Sequence, residues 1–177
     1  MRHFVLLASS LLSACNAVMY IDPDPGNVGQ TLAPGQSTAF RFFTTDQATH
    51  SGVNATAGAS YQLEFPIISN WIDGNIETDE TGASISLTGF ADRQMPRDRY
   101  SLLKRSRQHR WFELMLYQDG CRRDSLIGIS ELSFDATSKS YLYRAPCNGD
   151  LKLFVNDAQG FYVNNVGFAH IRITRSN

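Results

Sequence analysis

The sequence lacks most features from which an activity is usually read. It has no G-x-S-x-G turn of a serine hydrolase, no glycine-rich loop to cradle a phosphate and no cysteine in an active-site setting. His50, His109 and His170 are scattered, with neither an i,i+4 pair nor cysteine partners at zinc spacing. Catalytic residues are therefore not assigned, and an enzyme is not expected. The charges nearly cancel, Lys+Arg 16 against Asp+Glu 17 in 177 residues, which removes the electrostatic case for nucleic acid. No stretch approaches the roughly 20 apolar residues of a membrane helix. No window carries a capped apolar stripe of period 3.6, and there is neither an internal repeat nor a low-complexity tract. One domain without long helices is what remains.

The N-terminus shows a short pattern of its own. Arg2 gives a positive start, Phe4 to Leu7 with Leu11 and Leu12 give an apolar stretch, and small residues follow. This is the layout of an export signal. Leu12-Ser13-Ala14-Cys15 resembles a bacterial lipobox, which makes residues 1–14 a lipoprotein signal peptide and Cys15 the lipidated residue. Cleavage after Ala17 by an ordinary signal peptidase is the other reading. The expected location is the bacterial cell envelope, attached to a membrane by lipid. Asn16 in place of Asp resembles the sorting pattern for the outer membrane. Residues 15–37 carry Pro23, Pro25, Gly26, Gly29, Pro34 and Gly35 with little apolar pattern, and read as lipid attachment and tether.

Cys121 and Cys147 remain once Cys15 is assigned, and an oxidising compartment makes a disulfide the natural use of the pair. Both lie beside turn signals, Asp119-Gly120 and Asn148-Gly149. Two unpaired thiols are the alternative. From residue 38 to 177 the chain breaks into short β-rich runs: Thr38 to Phe43, Tyr61 to Phe65, Ser84 to Leu87, Trp111 to Tyr117, Leu126 to Ile129, Tyr141 to Tyr143, Leu151 to Val155 and Phe168 to Thr174. The last two alternate with period 2, Leu151, Leu153 and Val155 in one and Ala169, Ile171 and Ile173 in the other, which predicts one buried face in each. The fold class expected is all-β, an antiparallel β-sandwich of jelly-roll kind.

Three features have a functional and a plain reading. The stretch Arg97 to Arg110 is strongly basic and is either a patch for acidic glycans or a solvated loop leading into the strand at Trp111. Trp111 reads as core. Trp71, near a turn, reads equally as core or as a platform for stacking on a sugar. Glu64, Glu77, Asp79 and Glu80 form a hydrolytic pair only if two of them meet in space.

The sharpest cluster is Asn156 to Gly167, between the last two strands. Asp157 brings a carboxylate, Asn164 and Asn165 bring amide oxygens, and a turn at Gly160 can fold a backbone carbonyl inward. Those are the oxygen types that a hard cation such as Ca²⁺ takes. Equally, Asn and Asp favour turns without any metal. The run Gly149-Asp150-Leu151-Lys152-Leu153-Phe154-Val155-Asn156-Asp157, followed by Gly160, Tyr162, Asn164-Asn165 and Gly167, resembles the C-terminal half of calcium-dependent galactophilic bacterial lectins of the LecA type. Gly58, Tyr61 and Trp71 resemble the family's earlier strand more loosely. The resemblance implies a galactose-binding-domain-like sandwich. It implies calcium held by the side chains of Asp157, Asn164 and Asn165 and the carbonyl of Phe161, with a further carbonyl near Asp73 or Gly74. It also implies that a carbohydrate, or another polyhydroxylated ligand, meets Asp157 and Asn164, with Trp71 the remaining candidate contact. The family's second sugar-contacting loop, a histidine and a glutamine around a proline, has only the faint echo Gln94-Met95-Pro96, so galactose preference does not carry over. A structural or protein-interaction module, with this loop as a turn clasp, is the alternative.

Overall fold

The computed structural model describes residues 29–177. The segments read as signal peptide and lipid-attachment site, with Cys15, and most of the segment read as tether lie outside the described residues. Nine strands form the domain: β1 Ser37–Phe43, β2 Thr49–Ala55, β3 Ser60–Asp73, β4 Leu114–Gln118, β5 Ile127–Gly128, β6 Ser133–Asp135, β7 Ser140–Arg144, β8 Gly149–Val155 and β9 Asn165–Arg175. They make two antiparallel sheets, β1-β9-β3-β7-β6 and β2-β8-β4-β5. The chain is an all-β sandwich, as the spacing of short runs predicts. Helical structure is confined to short turns, the longest being the 3₁₀ segment Asp98–Leu103, and among the described residues no helix is long and apolar enough to cross a membrane.

The core fills the space between the sheets. Phe42, Leu63, Ala169, Ile171 and Ile173 from one sheet meet Val53, Leu114, Leu116, Leu151 and Leu153 from the other, all buried. β9 keeps its one-faced pattern, with Arg172 exposed between Ile171 and Ile173. β8 does not. Lys152 and Phe154 are buried as well, because this inner strand carries a second small cluster, Met115, Tyr117 and Phe154, on the outer face of its sheet. The Arg105 guanidinium covers the Phe154 ring at 3.7 Å, and the Lys152 ammonium reaches Asp119 at 2.8 Å. Alternation of Leu with Lys and Phe thus misled the one-face reading, since a lysine stem and its paired head are compatible with burial.

The other strand expectations are mixed. Ser84 to Leu87 forms no strand and only bridges Thr78 through Ser84, while β2 and β6 carry no strong sequence signal. Trp111 is fully buried, as expected. Cys121 and Cys147 are disulfide-bonded, with Cα atoms 6.2 Å apart. The bond closes the excursion that leaves β4, adds β5 to one sheet and β6 and β7 to the other. A loop of this length contributes about 3 kcal/mol on the chain-entropy account.

The domain begins before residue 38. Leu32 is fully buried, the Gly29 amide donates to Asp150 Oδ1 at 3.0 Å, and Gln30 bridges Val53. The last part of the segment read as tether therefore packs onto the sandwich, since an apolar side chain at 32 gains by leaving water. It does so where β8 starts and β9 finishes. The opposite end, where β3 and β8 finish and β9 starts, holds the candidate site.

Candidate functional site: a cleft lined with oxygens at one end of the sandwich

Three strand ends build the site. β3 closes on Asp73 and turns through Gly74 and Asn75, the turn being tied by Ile76 N–H to the Asp73 carbonyl at 2.8 Å and the reverse bond at 3.1 Å. β8 closes on Val155 and runs into Asn156 and Asp157. The chain then reverses at Gly160, whose φ of 90° lies in the left-handed region. A 3₁₀ turn, Tyr162–Asn164, delivers the chain to β9. Antiparallel register sets Asn165, the first residue of β9, directly across from Asp73.

The side chains converge. Asn165 Nδ2 donates to Asp157 Oδ2 and to the Thr44 carbonyl, each at 3.0 Å. Asp157 Oδ1 accepts the Ala158 amide at 2.6 Å. Asp73, Asp157 and Asn165 are 6%, 2% and 3% exposed. Asp73 Oδ2 and Asn165 Oδ1 are buried with no hydrogen-bond partner among the described residues. A buried oxygen without a donor costs on the order of 1–3 kcal/mol, so two on paired residues at one strand end leave a place for a proton, a water or a cation. Burial, and then the neighbouring Asp157, push the Asp73 carboxyl up to about 7. Burial also raises Asp157, against the lowering effect of the Ala158 amide, the Asn165 amide and Arg105.

These groups sit at one side of a cleft of about 230 Å³ whose lining includes Asp73, Gly74, Asp157, Phe161 and Asn164. Gly74 has a φ of 56°, in the left-handed region that favours glycine, and the Asn164 amide lies against it, 2.8 Å from where a Cβ would stand. Phe161 is 51% exposed at the rim. Met95 and Pro96 also line the cleft. Gln94 itself donates its amide to the Thr78 carbonyl at 3.1 Å instead.

Of the residues singled out in the sequence, Asp157, Phe161 and Asn164 line this cleft, and Asn165 is bonded to Asp157. Trp71 requires a correction. It is 3% exposed, its Nε1 donates to the Phe112 carbonyl at 3.0 Å, and Phe42 and Phe112 pack around its ring. No face is left for a sugar, so Trp71 is a core residue. The carboxylate of Asp73 is the group that sequence reasoning missed, having considered only a backbone carbonyl there. The Asp73 carbonyl accepts the Ile76 amide. An Asp directly before the turn glycine was the available signal.

The oxygen set suits a hard cation. Among the described residues no three His, Cys, Asp or Glu side chains gather as one site. The donors here are two carboxylates, two amide oxygens and carbonyls, which suit Ca²⁺ and not a soft metal. The histidines lie elsewhere: His109 between Ser106 Oγ at 2.5 Å and Glu131 Oε2 at 3.1 Å, and His170 against Arg41 on β9.

The basic stretch is neither a glycan patch nor a solvated loop over its second half. Lys104 and Arg105 are buried. The Lys104 ammonium donates to Asp92 and to the His109 carbonyl, each at 2.6 Å. Arg105 donates to the Gln47 carbonyl and to the Tyr162 hydroxyl. Arg110 grips both oxygens of Glu80 at 2.7 and 2.8 Å. Glu80 is thereby accounted for. Asp79 caps the turn at Thr81 and Ala83, Glu64 faces Arg172 at 3.5 Å, and these three carboxylates form no hydrolytic pair.

No protein-family model and no curated protein matches the chain. Among solved structures it is similar to the N-terminal domain of EclA, a PllA-like lectin, with a TM-score of 0.46 and 16% identity over 77% of this chain and 94% of that one. At that level the likeness stands beside the sandwich architecture and says nothing about the chemistry of the cleft.

Proposed function

We propose that the chain is a bacterial envelope lipoprotein, anchored through Cys15, whose sandwich binds a carbohydrate or similar polyhydroxylated ligand through a calcium ion. Asp157, Asn164 and Asn165 hold the ion with their side chains and Phe161 with its carbonyl. One observation carries this reading: buried oxygens, two of them without donors, converge beside an open cleft at the loop whose sequence resembles the calcium loop of LecA-type lectins. Bound calcium would supply coordination positions for two neighbouring sugar hydroxyls. Asp157 and Asn164, both on the cleft wall, orient the ligand by accepting and donating hydrogen bonds to those hydroxyls. Phe161 at the rim offers an apolar face to the ring.

A calcium titration followed by thermal unfolding tests this. A ligand that binds only the native state adds RT ln(1 + [L]/Kd), about 2.7 kcal/mol at 100 times Kd. Calcium should raise the melting temperature by several degrees, chelator should remove the gain, and Asp157→Ala should abolish it while the domain still folds. A glycan array with and without calcium then identifies the ligand.

The second reading is a structural or protein-interaction module in which the loop is a clasp. It draws on the Asn165 amide, which already ties Thr44 to Asp157. A clasp ignores both calcium and chelator.

A further inference from the structure

Asp73 has no counterpart in the ligand set that the sequence suggests, yet its carboxylate lies where that set converges. Strand register fixes it opposite Asn165. It is more than nine-tenths buried, its Oδ2 has no donor among the described residues, and the nearby Asn165 Oδ1 has none either. The carboxylate also lies close enough to Asp157 for the two charges to repel through a poorly solvated space. Two adjacent carboxylates, one donor-free oxygen on Asp73 and another on the amide across from it, are relieved in the metal-free chain by a proton on Asp73, and a cation that displaces this proton meets both charges at once.

We propose that Asp73 is a second anionic ligand to the cation held beside Asp157, so that a bound divalent ion is fully neutralised by protein carboxylates. This rests on the calcium reading above and adds to it a ligand and a charge count. Affinity of oxygen sites for hard cations rises with the number of charged ligands. The site should therefore hold Ca²⁺ more tightly than a single carboxylate with amides and carbonyls would. It should also accept a trivalent lanthanide, whose third charge favours two carboxylates still more strongly. Tyr100 and Trp111 border the same cleft and can sensitise lanthanide emission.

The experiment compares the purified chain with Asp73→Asn and, as a smaller replacement that fits the same space, Asp73→Ser. Ca²⁺ affinity is read by calorimetry, and Tb³⁺ by emission excited through the aromatic residues. The expected result is a loss of 30-fold or more in Ca²⁺ affinity in both variants, and a larger loss for Tb³⁺. Chelator-treated melting curves of the variants should be no lower than that of the parent, because a buried repulsion has been removed. Affinities within threefold of the parent overturn the role of Asp73 and leave the calcium reading standing. A parent chain that binds neither ion at millimolar concentration overturns both. A variant that melts well below the parent without metal, and regains no affinity difference once folded, makes Asp73 a structural residue and also overturns the proposal.

Discussion

The loops 97–110 and 156–165 are the two segments of the sequence richest in candidate functional groups, and they pack against each other. Their polar atoms have opposite fates. In the first loop, Lys104, Arg105 and Arg110 are spent on carbonyls, carboxylates and aromatic faces within the fold. Asn156, at the root of the second loop, completes that scaffold. Its Oδ1 accepts the Ser106 amide at 2.8 Å, and its Nδ2 donates to the carbonyls of Ser106, His109 and Arg110. A few residues further on the accounting changes, and Asn165 Oδ1 and Asp73 Oδ2 stay without donors. Density of charge in a sequence therefore does not locate a site. Buried acceptors left without donors at the wall of a cleft are the better pointer, as Asp119 Oδ1, also donor-free among the described residues but away from the cleft, makes plain.

The largest test of this contrast removes the scaffold. Asn156→Ala strands one amide and the carbonyls of Ser106 and Arg110 in the interior, the His109 carbonyl keeping Lys104, and should cost about 3 kcal/mol in denaturant unfolding. A loss below 1 kcal/mol would mean that the two loops are not stitched together as described. The second test concerns the leftover acceptors. Asp73 has its native carboxyl raised to about 7 from an unfolded value near 4, so between those values the native state binds more protons than the unfolded chain. Stability of the metal-free protein is then highest at the acid side of this window. It should fall by about 4 kcal/mol as pH rises from 4 to 7.5. Asp157, raised by burial, acts in the same direction. Asp73→Asn should flatten the slope. The smallest effect is expected on the exposed part of the basic loop, where Arg107→Glu should shift stability by less than about 0.5 kcal/mol.

Much of the architecture was legible because β-rich runs bounded by Gly, Asn and Asp are strong signals. Where the runs were short or broken the reading failed: β2, Thr49–Ala55, contains Gly52 in the left-handed region, and β6 spans only Ser133–Asp135. Burial on both faces of β8 was hidden by Lys152, whose charge is neutralised by a residue 33 positions earlier, Asp119. The site was half legible. Asp157, Phe161, Asn164 and Asn165 lie within nine residues and declare themselves as one loop. Asp73 joins them only through the pairing of β3 with β9, a contact of 92 residues' separation that local pattern cannot convey. Trp71 was ambiguous because an indole near a turn can face either way, and its partner carbonyl, that of Phe112, is 41 residues distant.

The point at which the described chain joins the sandwich has a directional consequence. Residues 29 and 30 dock beside the start of β8, and the cleft opens past its finish. Seven residues of strand, about 23 Å, separate the two. Whatever the chain before residue 29 is attached to, it enters the described domain at the end away from the cleft, so the cleft and the point of entry do not compete for the same surface.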